Sequence, residues 1–155
     1  MKDKKVIWIT GASTGIGRAL ALKFANAGWI VAASARRESL LQNLNEQNNN
    51  IYPFPLDVTK AEQCSSVFQD IINKFNDVEI SFFCTGIHDP NSEKKFNLNK
   101  IREIMEVNYF GTINSVNAVY EYYFNKKNGQ ISIVSSVAGY RGFPAAGAYC
   151  ASKSA

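Results

Sequence analysis

A glycine-rich segment near the amino terminus constrains the fold of this chain more than any other feature. The segment TGASTGIG (10–17) contains three glycines and directly follows VIWIT (6–10), a compact apolar run typical of a buried strand. Residues 18–28 carry apolar side chains at helical spacing and end on a glycine, which predicts a helix closed by that glycine. A strand, a glycine turn and a helix in this order predict a loop that binds an anion such as pyrophosphate through backbone N–H groups and the helix dipole. A second apolar run, WIVAAS (29–34), favours a nucleotide-binding unit over an ordinary turn.

The rest of the chain alternates strand and helix patterns, with no internal repeat and no long linker. Further strands are predicted at 51–55, 78–83 and 129–135, and further helices at about 37–47, 61–75 and 98–123. This alternation predicts a doubly wound α/β fold, a Rossmann-like parallel sheet of five strands in the order 3-2-1-4-5. Ligands of such sheets bind at the carboxyl ends of the strands, where Gly11, Asp57, Gly86 and Ser136 fall.

Composition excludes several classes of function. The net charge of +4 is modest, and lysines 2, 4 and 5 supply much of it from the amino terminus, so nucleic-acid binding is not expected. Three cysteines at 64, 84 and 150 lack C-x-x-C spacing, and His88 is the one histidine, so no metal site is expected. An odd cysteine count, the lack of a signal peptide and the lack of a long apolar stretch together predict a cytoplasmic protein without a membrane segment.

A tyrosine and a lysine four residues apart, Tyr149 and Lys153, lie near the end of the chain. In a helix this spacing puts the phenol and the ammonium on one face, where the cation favours the phenolate form. The pair would then suit acid–base chemistry near neutral pH. Such pairs also occur on many solvated helix faces, so the pair alone leaves both readings open.

Four further motifs make the chain resemble the short-chain dehydrogenase/reductase family over essentially all of its length. The G-x3-G-x-G loop matches the cofactor turn of that family, and LDVT (56–59) matches the segment that borders adenine. VNYFGT (107–112) carries the family's asparagine, and SSVAG (135–139) contains Ser136, which stands thirteen residues before Tyr149. The family's usual Asn-Asn-Ala-Gly after the fourth strand reads FCTG (83–86) here, which keeps the glycine but puts the side-chain hydrogen bonds of the asparagines in doubt.

The resemblance implies an oxidoreductase that interconverts a carbonyl and an alcohol on a small-molecule substrate. Tyr149 would exchange a proton with the substrate oxygen, and Ser136 would hydrogen-bond that oxygen. Lys153 would hold the nicotinamide ribose and assist Tyr149, and Asn108 would orient a water that links Lys153 to solvent. Alternatively, Ser136 is an ordinary turn hydroxyl and Asn108 a mid-helix residue that bonds its own backbone.

The resemblance also implies a single dinucleotide-binding domain over 1–155, with a set of cofactor-binding residues. These are Gly11, Ser13, Thr14, Gly15, Ile16, Gly17, Arg36, Arg37, Asp57, Val58, Gly86, Asn108, Tyr149 and Lys153. Folds that prefer NAD place an acidic residue after the second strand, whereas this chain has Ala35 followed by two arginines. Arginines there can grip a 2′-phosphate, so the sequence predicts NADP over NAD, with Arg36 the stronger candidate. Arg37 either binds the 2′-phosphate together with Arg36 or simply begins a solvated helix.

Length modifies these expectations. Members of the family usually continue well past the Y-x3-K lysine, whereas this chain stops at Ala155, so a truncated member is expected. The fifth strand would then have an exposed edge. The alternative function is therefore a non-catalytic remnant that binds a nucleotide or a partner through that edge. The full-length form is expected to be a homo-oligomer.

Overall fold

In a computed structural model, which describes residues 4–89 and 95–155, the chain forms a parallel five-stranded sheet with helices on both faces. The strands are β1 (Val6–Thr10), β2 (Ile30–Ser34), β3 (Ile51–Pro53), β4 (Ile80–Phe83) and β5 (Gln130–Ile133). The helices are α1 (Gly15–Asn26), α2 (Glu38–Gln47), α3 (Ala61–Phe75), α4 (Leu98–Met105), α5 (Gly111–Lys126) and α6 (Gly147–Ser154). The strand order is β3-β2-β1-β4-β5, so the predicted fold class and topology are confirmed.

Several predicted element bounds were wrong. The first helix begins at Gly15, inside the glycine-rich segment, and ends at Asn26, where Gly28 follows with a φ of +87°. The predicted helix over 98–123 is instead α4 and α5 separated by a π-helical segment, Glu106–Phe110. The residue directly after that segment, Gly111, needs to be glycine because a Cβ there would lie 2.5 Å from Cγ2 of Val58. Strand β3 ends at Pro53, although the Phe54 N–H directly after it still donates to the Ala33 carbonyl of β2 at 2.9 Å. Proline is tolerated at 53 because β3 is an edge strand.

Alternate residues of β1 build two separate cores, one on each face of the sheet. Ile7 and Ile9 pack with α1 and α2, and Trp8 packs with α3 and α5. The Trp8 ring stacks on Phe68 at 5.5 Å, and its indole N–H donates to Ser34 Oγ at 2.9 Å. All five residues of β1 are buried, so the glycine-rich loop projects from a buried strand at the centre of the sheet.

Strand β5 forms one edge of the sheet in the part of the chain that the structure describes. Ile133 at its end is 53% exposed. The neighbouring helix α5 also exposes apolar side chains, among them Ile113, Tyr120 and Phe124. Over the described residues, the helices are too short or too polar to cross a membrane.

Candidate active site at the carboxyl edge of the sheet

An open groove of about 300 Å³ lies at the carboxyl ends of β1, β2 and β4. All eleven residues predicted to bind the cofactor before residue 100 line it: Gly11, Ser13, Thr14, Gly15, Ile16, Gly17, Arg36, Arg37, Asp57, Val58 and Gly86. The groove is also lined by six residues that were not among the predicted cofactor-binding residues: Ala35, Leu56, Cys84, Thr85, Ile87 and Val107. Three of these, Ala35, Leu56 and Cys84, come directly after predicted strand ends, which was the signal available for finding them.

The glycines of the loop each have a distinct structural reason. Gly11 has a φ of +69°, and a Cβ there would lie 2.9 Å from the backbone of Cys84 and Thr85. A Cβ on Gly17 would lie 2.4 Å from the carbonyl oxygen of Gly11, so only glycine lets α1 approach the loop. Gly15 has a φ of +56° and, among the described residues, a Cβ there would meet nothing within 4 Å.

The amino terminus of α1 is suited to an anion. Thr14 is its N-cap, and its side chain makes no capping hydrogen bond within the described part of the chain. The first turn of α1 carries no acidic residue. The unsatisfied N–H groups and the positive end of the helix dipole therefore face the groove beside the open position at Gly15.

The two arginines after β2 differ in their contacts. Both are exposed and line the groove. Arg37 Nη2 donates to Ser13 Oγ at 3.1 Å and to Thr14 Oγ1 at 3.4 Å, so its guanidinium lies against the glycine-rich loop. The sequence favoured Arg36 for the 2′-phosphate; in the structure Arg37 contacts the glycine-rich loop, and which arginine binds a phosphate stays a prediction.

Asp57 and Val58 shape the other wall of the groove. Asp57 Oδ1 accepts hydrogen bonds from the Thr59 N–H at 3.1 Å and from Thr59 Oγ1 at 2.9 Å. The N–H of Asp57 donates to Gln63 Oε1 at 2.9 Å. Val58 is buried against Gly111, so this loop is fixed to both α3 and α5.

Tyr149 and Lys153 lie together on α6, as the spacing predicted. The Lys153 Nζ is 5.9 Å from the centroid of the Tyr149 ring and donates to the Val134 carbonyl at 3.0 Å. Burial lowers the pKa of Lys153, against the opposing influence of Cys84. A Cβ on Gly86 would lie 3.5 Å from the Lys153 Nζ, so this cluster borders the groove at Gly86.

Asn108 ties this cluster together. It lies in the π-helical segment and is only 3% exposed. Its Oδ1 accepts from the Ile87 N–H at 2.7 Å, and its Nδ2 donates to the Ile87 carbonyl at 2.9 Å and to Ser152 Oγ at 3.0 Å. The alternative in which its side chain bonds its own backbone is therefore wrong; only its carbonyl has such a local partner, the Thr112 hydroxyl.

Ser136 begins a short 3₁₀ turn, Val137–Gly139, and its Oγ accepts from the Ala138 N–H at 3.1 Å. Its hydroxyl thus has the turn role considered for it, and its proton stays available to another acceptor. The turn packs directly on α6, because a Cβ on Gly139 would lie 2.5 Å from the Lys153 carbonyl oxygen. Ser135, its neighbour, is exposed.

Burial raises the pKa of the Cys84 thiol to about 11, although Lys153 opposes the shift. The thiol that replaces an asparagine in the family pattern is therefore protonated at neutral pH and lines the groove as a small, weakly polar group. Over residues 4–89 and 95–155, no three His, Cys, Asp or Glu side chains are grouped so as to hold a metal ion.

Comparison with known proteins gives a consistent picture. The family described as short chain dehydrogenase matches residues 5–155. Dehydrogenase/reductase SDR family member 7 of mouse is 30% identical over 97% of this chain and 47% of its own length. An uncharacterized oxidoreductase of Listeria monocytogenes is 32% identical over 96% of the chain and 62% of its own length.

Solved structures agree with these relatives. A short-chain dehydrogenase from Streptomyces avermitilis superposes with a TM-score of 0.88 at 28% identity, over 97% of this chain and 56% of that one. ElxO with NADP bound superposes with a TM-score of 0.87 at 26% identity, over 97% and 63%. The chain thus spans about half to two-thirds of the length of the proteins that it matches.

Proposed function

Because this chain belongs to the short-chain dehydrogenase family, we propose that it provides the cofactor-binding residues and the catalytic residues of an NADP(H)-dependent oxidoreductase. This enzyme would interconvert a carbonyl and an alcohol. One observation carries the proposal. The groove at the strand ends includes Gly86, where a Cβ would lie 3.5 Å from the Lys153 Nζ, so a nicotinamide lying in that groove would come close to the Tyr149–Lys153 pair.

The residues present fit a dinucleotide. The backbone of Cys84 and Thr85 packs closely on Gly11, and the backbone of Gly11 packs closely on Gly17. The space above Gly15 is open beside the amino terminus of α1, which has no side-chain cap. Backbone N–H groups in that position suit a pyrophosphate. The bound cofactor would supply the hydride, and the protein would supply the proton and the oriented polar groups.

Charge after β2 supports NADP over NAD. Ala35 lines the groove where folds that prefer NAD place a carboxylate, and two exposed guanidiniums follow it. Arg37 lies against Ser13 and Thr14, within the loop that would hold the phosphates. One charge-assisted contact to a 2′-phosphate is worth about 1.5–3 kcal/mol, or about ten- to a hundredfold in affinity. ElxO, whose solved structure contains NADP, is similar to this chain and adds support.

The protein groups are assigned the proton transfer that accompanies the hydride transfer. As the carbonyl carbon gains a hydride, the Tyr149 hydroxyl donates its proton to the carbonyl oxygen, so the product is an alcohol and the tyrosine is left as phenolate. The ammonium of Lys153 stabilises that anion, and Ser136 donates a hydrogen bond to the same substrate oxygen. Asn108 would orient a water through which the proton is resupplied to Lys153.

Tyr149→Phe tests the catalytic assignment, because it removes the proton donor and almost no volume. Turnover of NADPH with a panel of ketones and aldehydes should be abolished, while the cofactor dissociation constant should stay within about twofold. Tyr120→Phe, on the exposed face of α5, is the matched control and should leave both quantities unchanged. A Tyr149→Phe enzyme that kept more than about a tenth of the wild-type rate would remove Tyr149 from the mechanism.

Calorimetric titration with NADPH and NADH at one low ionic strength tests the cofactor assignment. The wild type should bind NADPH about ten- to a hundredfold more tightly, and Arg37→Ala or Arg36→Ala should each reduce that ratio. The double substitution Ala35→Asp with Arg36→Ile should reverse the preference, since a carboxylate would then repel the phosphate. Equal affinity of the wild type for both cofactors would show that the arginines do not bind the 2′-phosphate.

The second candidate function is a non-catalytic form that binds a nucleotide or a partner through the edge of β5. The exposed apolar end of that strand, with Ile133 about half exposed, favours it. Cofactor binding without turnover of any carbonyl or alcohol would support this alternative over the enzyme.

A further inference from the structure

The one histidine of the chain lies on the ring of Tyr149. The centroids of the His88 and Tyr149 rings are 4.3 Å apart, and their planes are inclined by 27°, a stacked arrangement. His88 follows β4 in the loop that lines the groove, whereas Tyr149 is on α6. The family resemblance assigns no role to position 88, and the spacing of the motifs does not point to it.

Both members of this stack are anchored to the same buried amide. The backbone of Ile87, directly before His88, is held on both its N–H and its carbonyl by Asn108. The same Asn108 donates to Ser152 Oγ, which in turn donates to the Tyr149 carbonyl at 2.8 Å. The two rings are therefore brought together by backbone that is fixed on each side, and the contact is not a chance approach of two mobile side chains.

Tyr149 itself needs such a support. Its ring is half-buried, and α6 is only eight residues long, with no side-chain hydrogen bond at its N-cap in the described residues. Rotation about the side-chain torsions would move the hydroxyl away from a substrate oxygen, and a misplacement of about 1 Å can cost a large factor in rate. Stacking on a flat ring restricts that rotation.

We propose that His88 is a positioning residue, whose imidazole holds the Tyr149 ring in the orientation from which its hydroxyl reaches the substrate; this rests on the function proposed above. The contribution comes from the flat face of the ring. A flat apolar ring should therefore replace the imidazole, whereas a small side chain should not.

Proton NMR tests the contact without any need for turnover. Because the chain has one histidine, its two ring C–H signals are unique, and stacking on a phenol shifts them upfield. Tyr149→Leu should return both signals toward the values of an unstacked histidine, while Tyr120→Leu, on the exposed face of α5, should leave them in place. Unchanged His88 signals in Tyr149→Leu would show that the stack does not exist in solution, and would overturn the proposal.

Kinetics test whether the contact positions the phenol. His88→Ala should lower kcat by about tenfold with an unchanged cofactor dissociation constant, and His88→Phe should recover most of the loss. A wild-type kcat in His88→Ala would overturn the proposal, as would a His88→Phe enzyme no better than His88→Ala. Failure of the wild type to turn over any substrate would refute the proposed function, and the NMR result would still decide whether the stack exists.

Discussion

Asn108→Ala should destabilise the fold more than its single amide suggests. The side chain is almost fully buried and makes three hydrogen bonds, two to the backbone of Ile87 and one to Ser152. All three join segments that are far apart in sequence, the loop after β4 and helix α6. The substitution therefore removes a junction of the tertiary structure and not a local contact.

The expected size follows from these bonds. Each net hydrogen bond contributes about 1 kcal/mol, so the three together contribute about 3 kcal/mol. The N–H and carbonyl of Ile87 would lose their partner in a half-buried loop, which raises the cost toward about 5 kcal/mol where water cannot replace it. For a domain of this size, 3 kcal/mol corresponds to a decrease in Tm of about 6–12 °C.

Urea unfolding followed by circular dichroism and tryptophan fluorescence would measure this loss, provided that the two transitions coincide. Asn114→Ala is the matched control, because Asn114 lies on α5 and makes one hydrogen bond, from Nδ2 to the Val58 carbonyl at 2.9 Å. It should cost only about 1 kcal/mol. An Asn108→Ala protein no less stable than Asn114→Ala would refute the view that Asn108 joins the two segments.

Two further predictions concern the loop and the base of the sheet. Gly15→Val should abolish cofactor binding in a fluorescence titration, since the branched side chain would enter the open space above the loop. Gly28→Val is the control, because Gly28 also has a positive φ but lies outside the groove; this variant should lose stability but keep the affinity for the cofactor. Burial alone would raise the pKa of Asp77, but hydrogen bonds from Lys126 and Tyr122 outweigh it and hold that pKa below its ordinary value. The carboxylate thus stabilises the fold above the ordinary aspartate pKa, and this stability is lost as pH falls through the folded-state value. In Asp77→Asn, urea midpoints should depend less on pH in the acid range, an effect of at most about 1 kcal/mol because the side chain is half exposed.

Local patterns in the sequence were sufficient to predict the sheet order and the glycine-rich loop. Apolar runs of strand length alternate with helical spacing, and a parallel sheet with right-handed crossovers permits few orders for such a pattern. The turn at 10–17 was predictable because a short strand–helix connection needs glycine at fixed positions, as the close approaches at Gly11 and Gly17 show. The groove residues followed, because ligands of this fold bind where the strands end.

The bounds of the elements depended on more than pattern. Helical periodicity continues without a break from 98 to 123, yet the structure inserts a π-helical segment at Glu106–Phe110. That segment carries Asn108, whose amide is satisfied only by groups on other elements. Periodicity reports which residues face the core, and it does not report where a buried polar side chain finds its partners.

The contacts that distinguish this site were decided by the tertiary structure alone. The sequence favoured Arg36, but the turn before α2 brings the Arg37 guanidinium onto Ser13 and Thr14. Nothing in the local sequence places His88 on Tyr149, because the loop after β4 and helix α6 come together only in the folded chain, where Asn108 bonds to both. Spacing within one segment is fixed by backbone geometry and can be read along the chain, whereas a contact between distant segments depends on how whole elements pack.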